Sequence, residues 1–128
     1  NIERVGDHAM NICEYSGMLK EKHIHFSDAA RRELQEMESV CLAVLDELAR
    51  ETAEPMELLK NVAALEQRID DMTGAYRQNQ LDRMRSGACS DEACIIFSEL
   101  LTDFERIGDH ALNIAEARVS AGAALPPA

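Results

Sequence analysis

The chain has 128 residues, with 24 acidic against 13 basic side chains and a net charge of −11. That balance disfavours a nucleic-acid or anionic-membrane partner, since phosphate surfaces are held by Lys and Arg clusters, and suits cations or basic patches on other proteins. The length makes one domain able to bury roughly two thirds of its unfolded surface, and no apolar run approaches the roughly 20 residues of a membrane span.

Asn1 stands inside a patterned helix rather than at a translation start, so upstream sequence is expected. The first predicted helix runs from there to about Lys22, with Ile2, Val5, Ala9 and Ile12 at helical spacing. Residues 23–26 read as a connector, and Ser27 with Asp28 supplies an N-cap and an acidic first turn. The second helix carries Leu34, Met37, Cys41, Val44 and Leu48 on one face and ends near Thr52. Pro55 opens the third at a first helical position; Leu59, Val62, Leu65, Ile69, Met72 and Tyr76 turn toward the core as far as about Arg85. Gly87 is a stop signal, and Ser90 followed by Asp91 and Glu92 caps the fourth helix. That helix packs through Phe97, Leu101, Phe104, Gly108, Ala111 and Ala115, then gives way after Ser120 to an Ala/Pro tail. No segment alternates with the period of a strand. The expected fold is all-α, an antiparallel bundle of four helices whose short loops make consecutive helices neighbours. Cys13, Cys41, Cys89 and Cys94 form no CxxC pair. With no signal-peptide pattern, they read as reduced thiols of a cytoplasmic protein.

One segment occurs twice. Ile2 to Tyr15 reads I-E-R-V-G-D-H-A-M-N-I-C-E-Y and Phe104 to Ala117 reads F-E-R-I-G-D-H-A-L-N-I-A-E-A, identical at nine of fourteen positions. Apolar spacing alone would not demand identity at Glu, Arg, Gly, Asp, His and Asn. Glu3 and Asp7 lie one turn apart on one stripe with Asn11 the next rung, and Glu105, Asp109 and Asn113 repeat the arrangement. Paired carboxylates repel unless a cation or basic side chain compensates them. Mid-helix Gly6 and Gly108 cost about 1 kcal/mol each against alanine, which a close helix crossing or a bound ion would explain. Glu66 and Asp70 have the same spacing on the third helix. If the third and fourth helices fold as a hairpin about Gly87, Asp70 stands 17 residues before the turn and Glu105 stands 18 after it; Glu66 stands 21 before and Asp109 stands 22 after. Four carboxylates then meet at one level. Multivalent cations with oxygen ligands would remove their repulsion; salt bridges to Arg4, Arg68, Arg77 or Arg106 are the rival compensation.

The doubled E-R-[V/I]-G-D-H resembles the signature of the PhoU family, built from tandem three-helix repeats with a Glu/Asp-x-x-x-Asp motif on the last two helices of each. The resemblance implies multinuclear metal binding and a role in regulating phosphate uptake. By position, Glu66 and Asp70 match the middle helix of a repeat, Glu105 and Asp109 its last helix, and Glu3 and Asp7 the last helix of the repeat before. Residues 1–22 then form the end of a truncated first repeat, 27–120 a second full repeat, and 121–128 a disordered tail. Residues 89–93, 97–101 and the Asp109-His110 pair are more similar still to the cytoplasmic C-terminal domain of bacterial sodium/phosphate cotransporters. Gln80 departs from that branch, where a histidine is expected. The implied site residues are Glu66, Asp70, Glu105, Asp109, Glu3 and Asp7; Asn11 and Asn113 on the same stripes, and His8 and His110 next to the motif aspartates, are candidate supporting groups from their positions. The implied ions are Fe, Mn, Mg or Zn, and the implied partner is a phosphate transporter.

An enzyme reading would be a di-iron oxidase, whose helix bundles use Glu-x-x-His. None of His8, His23, His25 or His110 has a glutamate three residues earlier, and no phosphate loop or nucleophile constellation appears. A non-catalytic regulatory domain is expected; the alternative is a metal-free helical interaction module. His8 and His110 are expected to be solvated helix positions rather than ligands. The apolar stripe of the first helix needs cover. Either the helix folds back on the bundle, with Glu3 and Asp7 on an open face, or two chains pair as a homo-oligomer, the favoured arrangement.

Overall fold

The computed structural model describes residues 2–50 and 54–124. Its elements are α1 (Ile2–Glu21), α2 (Asp28–Ala49), α3 (Pro55–Arg85) and α4 (Asp91–Ala124), with no strand among the described residues. The fold is all-α.

The helix ends follow local chemistry. Ser27 Oγ accepts from the Ala30 amide at 3.1 Å and Ser90 Oγ from the Ala93 amide at 3.1 Å, each satisfying a donor that the first turn leaves open. Pro55 occupies the start of α3, where its missing N–H would have no partner in any case. Gly87 takes φ +75° after the last turn of α3, the left-handed conformation that ends a helix without Cβ strain. α2 closes at Ala49 on the Arg50 cap; the expected end near Thr52 lies outside the described residues. α4 continues through Ala124, so the expected disordered tail is helical at residues 121–124, where alanines sustain the helix. Residues 125–128 lie outside the described part.

α2, α3 and α4 pack on one another as a three-helix unit. Its core holds Met37, Val40 and Val44 from α2, Leu58, Val62 and Ile69 from α3, and Phe97, Leu101, Ala111 and Ala115 from α4. Each large side chain in that interior stabilises the fold by about 1.5–3 kcal/mol. Polar contacts across α2 and α3 show their antiparallel course. Asn61 Nδ2 donates to Glu47 at 3.2 Å, Tyr76 Oη donates to Glu36, and Arg83 pairs with Glu33 at 2.6 Å.

α1 departs from the expectation that consecutive helices are neighbours. Among the described residues its backbone closely approaches α4 alone, running antiparallel to it, and approaches neither α2 nor α3. Ile12, Tyr15 and Leu19 reach the edge of the core, while Met10 and Met18 stay exposed. The connector between α1 and α2 is short, but His23 adopts a positive φ of 53° within it. A short loop limits separation, not direction, and the apolar side of α1 finds its cover on α4.

Candidate metal centre

α3 and α4 form the hairpin about Gly87, so residues at matched distances from that turn face one another. Glu66 and Asp70, one helical turn apart on α3, are half-buried, and Asp109 projects from α4 at the exposed rim. One carboxylate oxygen of each of these three residues lies within 4.8 Å of the others. The helices approach closely because residue 108 has no side chain. A Cβ built there would stand 3.1 Å from Ile69 Cδ1 and 3.8 Å from Glu66 Cγ. Ile69 is fully buried, so Gly108 and Ile69 together set the spacing at which Glu66 and Asp109 meet.

The electrostatics record that crowding. Burial, then hydrogen bonding and charge from Asp70 and Asp109, pushes the Glu66 carboxyl up from 4.5 to about 7. Glu105 is also raised, by burial and then by the Asp70 and Asp109 charges, with Arg77 and Arg106 opposing. No ion pair among the described residues involves Glu66, Asp70, Glu105 or Asp109. Arg77, one of the rival partners, instead donates to Ser98 Oγ at 3.0 Å and Thr102 Oγ1 at 2.7 Å. Among the described residues, no direct salt bridge compensates the four carboxylates.

Glu105 and Asp109 also border an adjoining cavity of about 810 Å³, to which α1 contributes Arg4, Asp7 and His8. Asp7 thus faces the α4 motif across the cavity but stands outside the close three-carboxylate group. Glu3 is exposed and belongs to neither. Gly6, the counterpart of Gly108, has nothing within 4 Å of a Cβ position. Asn113 is exposed.

Sequence reasoning missed what joins α1 to α4. The imidazoles of His8 and His110, expected to be solvated, are half-buried and stacked with centroids 5.5 Å apart and planes 17° apart. Asp103 is buried, 6% exposed as a residue, and its carboxylate accepts from His8 Nδ1 at 2.8 Å and from Asn11 Nδ2 at 3.4 Å. His110 is held below the usual imidazole value by burial, His8 and Arg4, against Asp109, and its Nδ1 is buried without a partner among the described residues. A signal for Asp103 was present: it interrupts an apolar spacing of Ile96, Leu100 and Ile107, where a charge is expensive unless partnered.

The cysteines also need correction. Cys13 and Cys41 are free, but a disulfide joins Cys89 to Cys94. The turn at Gly87 and the cap at Ser90 bring their Cα atoms to 6.5 Å, a proximity that a search for CxxC does not detect. Gln80, the residue that departs from the transporter branch, is buried against both sulfurs.

This hairpin with its paired motifs coincides with a known domain. A family model described as the PhoU domain matches residues 34–117, from within α2 to within α4. The chain belongs to the PhoU family. It is 31% identical over 117 residues to a phosphate-specific transport system accessory protein PhoU homolog 1 of Thermotoga maritima, covering 91% of this chain and 50% of that protein. A phosphate-specific transport system accessory protein PhoU homolog of Xylella fastidiosa is 30% identical over 116 residues, 91% of this chain and 48% of its own length. The chain spans about half the length of these curated relatives. No solved structure matches it.

Proposed function

We propose that this PhoU domain is a metal-binding regulatory module that acts on a phosphate transporter from the cytoplasmic side of the membrane. The observation that carries the metal reading is the group of three carboxylate oxygens, drawn from two helices, within 4.8 Å of one another and without an ion-paired basic side chain among the described residues. Two oxygens bound to one ion at about 2.1–2.4 Å can be no more than about 4.2–4.8 Å apart, so the spacing fits a shared ion. Glu66, Asp70 and Asp109 would hold it, with Glu105 and Asp7 at the border. An all-oxygen donor set favours Mg or Mn, and accepts Fe or Zn less selectively. The ion would supply charge neutralisation, allowing Glu66 to ionise and α3 and α4 to stay close.

The regulatory half of the proposal rests on the family. The curated relatives are accessory proteins of phosphate-specific transport, and no helix among the described residues is long and apolar enough to cross a membrane. A sodium/phosphate cotransporter is the partner that the C-S-D-E-A and F-S-E-L-L stretches suggest. Thermal unfolding of metal-stripped protein with and without added Mn2+, Mg2+, Fe2+ or Zn2+ tests the metal half. Ligand at a hundredfold over its Kd should stabilise by about 2.7 kcal/mol; an unmoved midpoint with every ion would leave the metal-free interaction module as the reading.

A further inference from the structure

The Cys89–Cys94 pair lies on the face of the hairpin turn, away from the carboxylates, and nothing in a metal-regulated phosphate module requires it. We propose that it is a thiol–disulfide exchange site for small-molecule disulfides of the glutathione class, with Cys89 the reacting sulfur and Cys94 the resolving one.

Three observations carry this. First, the pair is asymmetric in access. Cys89 sits half-buried in the loop before the Ser90 cap, whereas Cys94 is 8% exposed in the first turns of α4. An external disulfide therefore meets Cys89 first, since exchange rates follow access as well as thiolate character. Second, both sulfurs have the same polar neighbour. Gln80 Nε2 donates to Cys89 Sγ at 3.6 Å and to Cys94 Sγ at 3.5 Å. This buried amide can stabilise negative charge on whichever sulfur leaves, an effect to which the N-terminal end of α4 adds and which Asp91 and Glu92 oppose. Third, the bridge spans a sequence separation of only five. Closing so short a loop removes less entropy from the unfolded chain than closing a long one, so a purely structural staple gains less here than it would elsewhere.

The chemistry balances without any group that the protein lacks, save the named disulfide. The Cys89 thiolate attacks one sulfur of the external disulfide, forming a mixed disulfide and releasing one external thiolate. Cys94 gives up its proton and attacks the Cys89 sulfur, forming the Cys89–Cys94 bond and releasing the second. Two cysteine thiols lose two electrons and two protons, and the external disulfide becomes two thiols. Reduction runs the same steps backward.

The state of the pair reaches beyond the turn through Gln80. Its Oε1 accepts from Arg83 Nε at 2.7 Å, and the Arg83 guanidinium pairs with Glu33 of α2 at 2.6 Å and lies 5.4 Å from the centre of the Phe97 ring. Breaking the S–S bond frees two thiols that compete for the Gln80 amide, at the end of a polar chain that ties α3 to α2.

Reduced protein incubated with oxidised glutathione, then alkylated under denaturing conditions and mapped by mass spectrometry, tests the site. The expected product is a Cys89–Cys94 linkage with Cys41 still alkylated, reverting to thiols when reduced glutathione is in excess and the protein is folded. Cys94→Ser should trap a lasting glutathione adduct on Cys89, and Cys89→Ser should form the Cys94 adduct at least about tenfold more slowly. The proposal is overturned by a bridge that never forms, by one that pairs Cys13 or Cys41 instead, by one that resists reduced glutathione in the folded protein, or by equal rates in the two variants.

Discussion

The two copies of the E-R-[V/I]-G-D-H segment share most of their residues and almost none of their surroundings. On α4 the copy is pressed against α3: Gly108 and Ala111 are buried, Ile69 stands 3.1 Å from where a Cβ would be, and Glu66 and Asp70 complete the acidic group. On α1, among the described residues, the same glycine has nothing within 4 Å, Ala9 is exposed, and Glu3 and Asp7 have no α3-like helix beside them. The motif alone does not crowd its carboxylates; an opposing helix does. The copies meet each other at the stacked His8 and His110, beside the cavity that both line. Identical side chains there serve helix contact rather than charge concentration.

The strongest way to break this comparison is to neutralise each copy in turn. Asp70→Asn with Asp109→Asn should abolish the metal-linked stabilisation, about 2.7 kcal/mol at a hundredfold excess over Kd, while the apo bundle still folds. Glu3→Gln with Asp7→Asn should keep most of it. Thermal melts with and without the best stabilising ion compare the two; equal losses would mean that α1 and α4 contribute alike and that the opposing helix is irrelevant.

Most of the fold could be read from local signals, because caps, the stop at Gly87 and the 3.6-residue spacing act within a turn or two. The level at which Glu66 meets Asp109 was also legible, since an antiparallel hairpin converts distance along the chain from Gly87 into distance across it. What was not legible depends on which faces meet. The apolar stripe of α1 says that it must be covered, not that α4 covers it, and so the stacking of His8 on His110 and the partners of Asp103 were invisible, although the break that Asp103 makes in the apolar spacing of α4 was not. The Cys89–Cys94 bond escaped for a related reason: the left-handed Gly87 and the Ser90 cap fold the loop back by a geometry that no cysteine spacing encodes.

The glycines offer a smaller and sharper test. Gly6→Ala adds a methyl group in open space and should stabilise the protein by up to about 1 kcal/mol through helix propensity. Gly108→Ala gains the same propensity, but its methyl meets Ile69 Cδ1 at 3.1 Å. Ile69 is fully buried and cannot swing into solvent, so overpacking should outweigh the gain and leave a net loss of about 1 kcal/mol. Chemical denaturation of both variants should give shifts of opposite sign. If Gly108→Ala also stabilises, the approach of α3 to α4 is softer than its geometry indicates, and the difference between the copies shrinks.

The finest distinction is in pH. Because Glu66 is raised from 4.5 unfolded to about 7 folded, the native state holds a proton that the unfolded chain has already released between those values. Its contribution to stability is fully present below pH 4.5 and is lost as pH rises through about 7 in the metal-free protein. Glu66→Gln cannot ionise, so relative to the parent it should gain stability across that window, on the order of 1 kcal/mol once solvent screening at a partly exposed group is allowed for. Adding metal should reverse the order. The ion displaces the same proton and binds more tightly as pH rises, so the parent gains stability that the variant, lacking one carboxylate, does not. Urea denaturation of both proteins on either side of the window, with chelator and then with ion, reads all of these signs. A parent and variant that stay parallel throughout would show that Glu66 is not crowded, and the α4 copy would then differ from the α1 copy in burial alone.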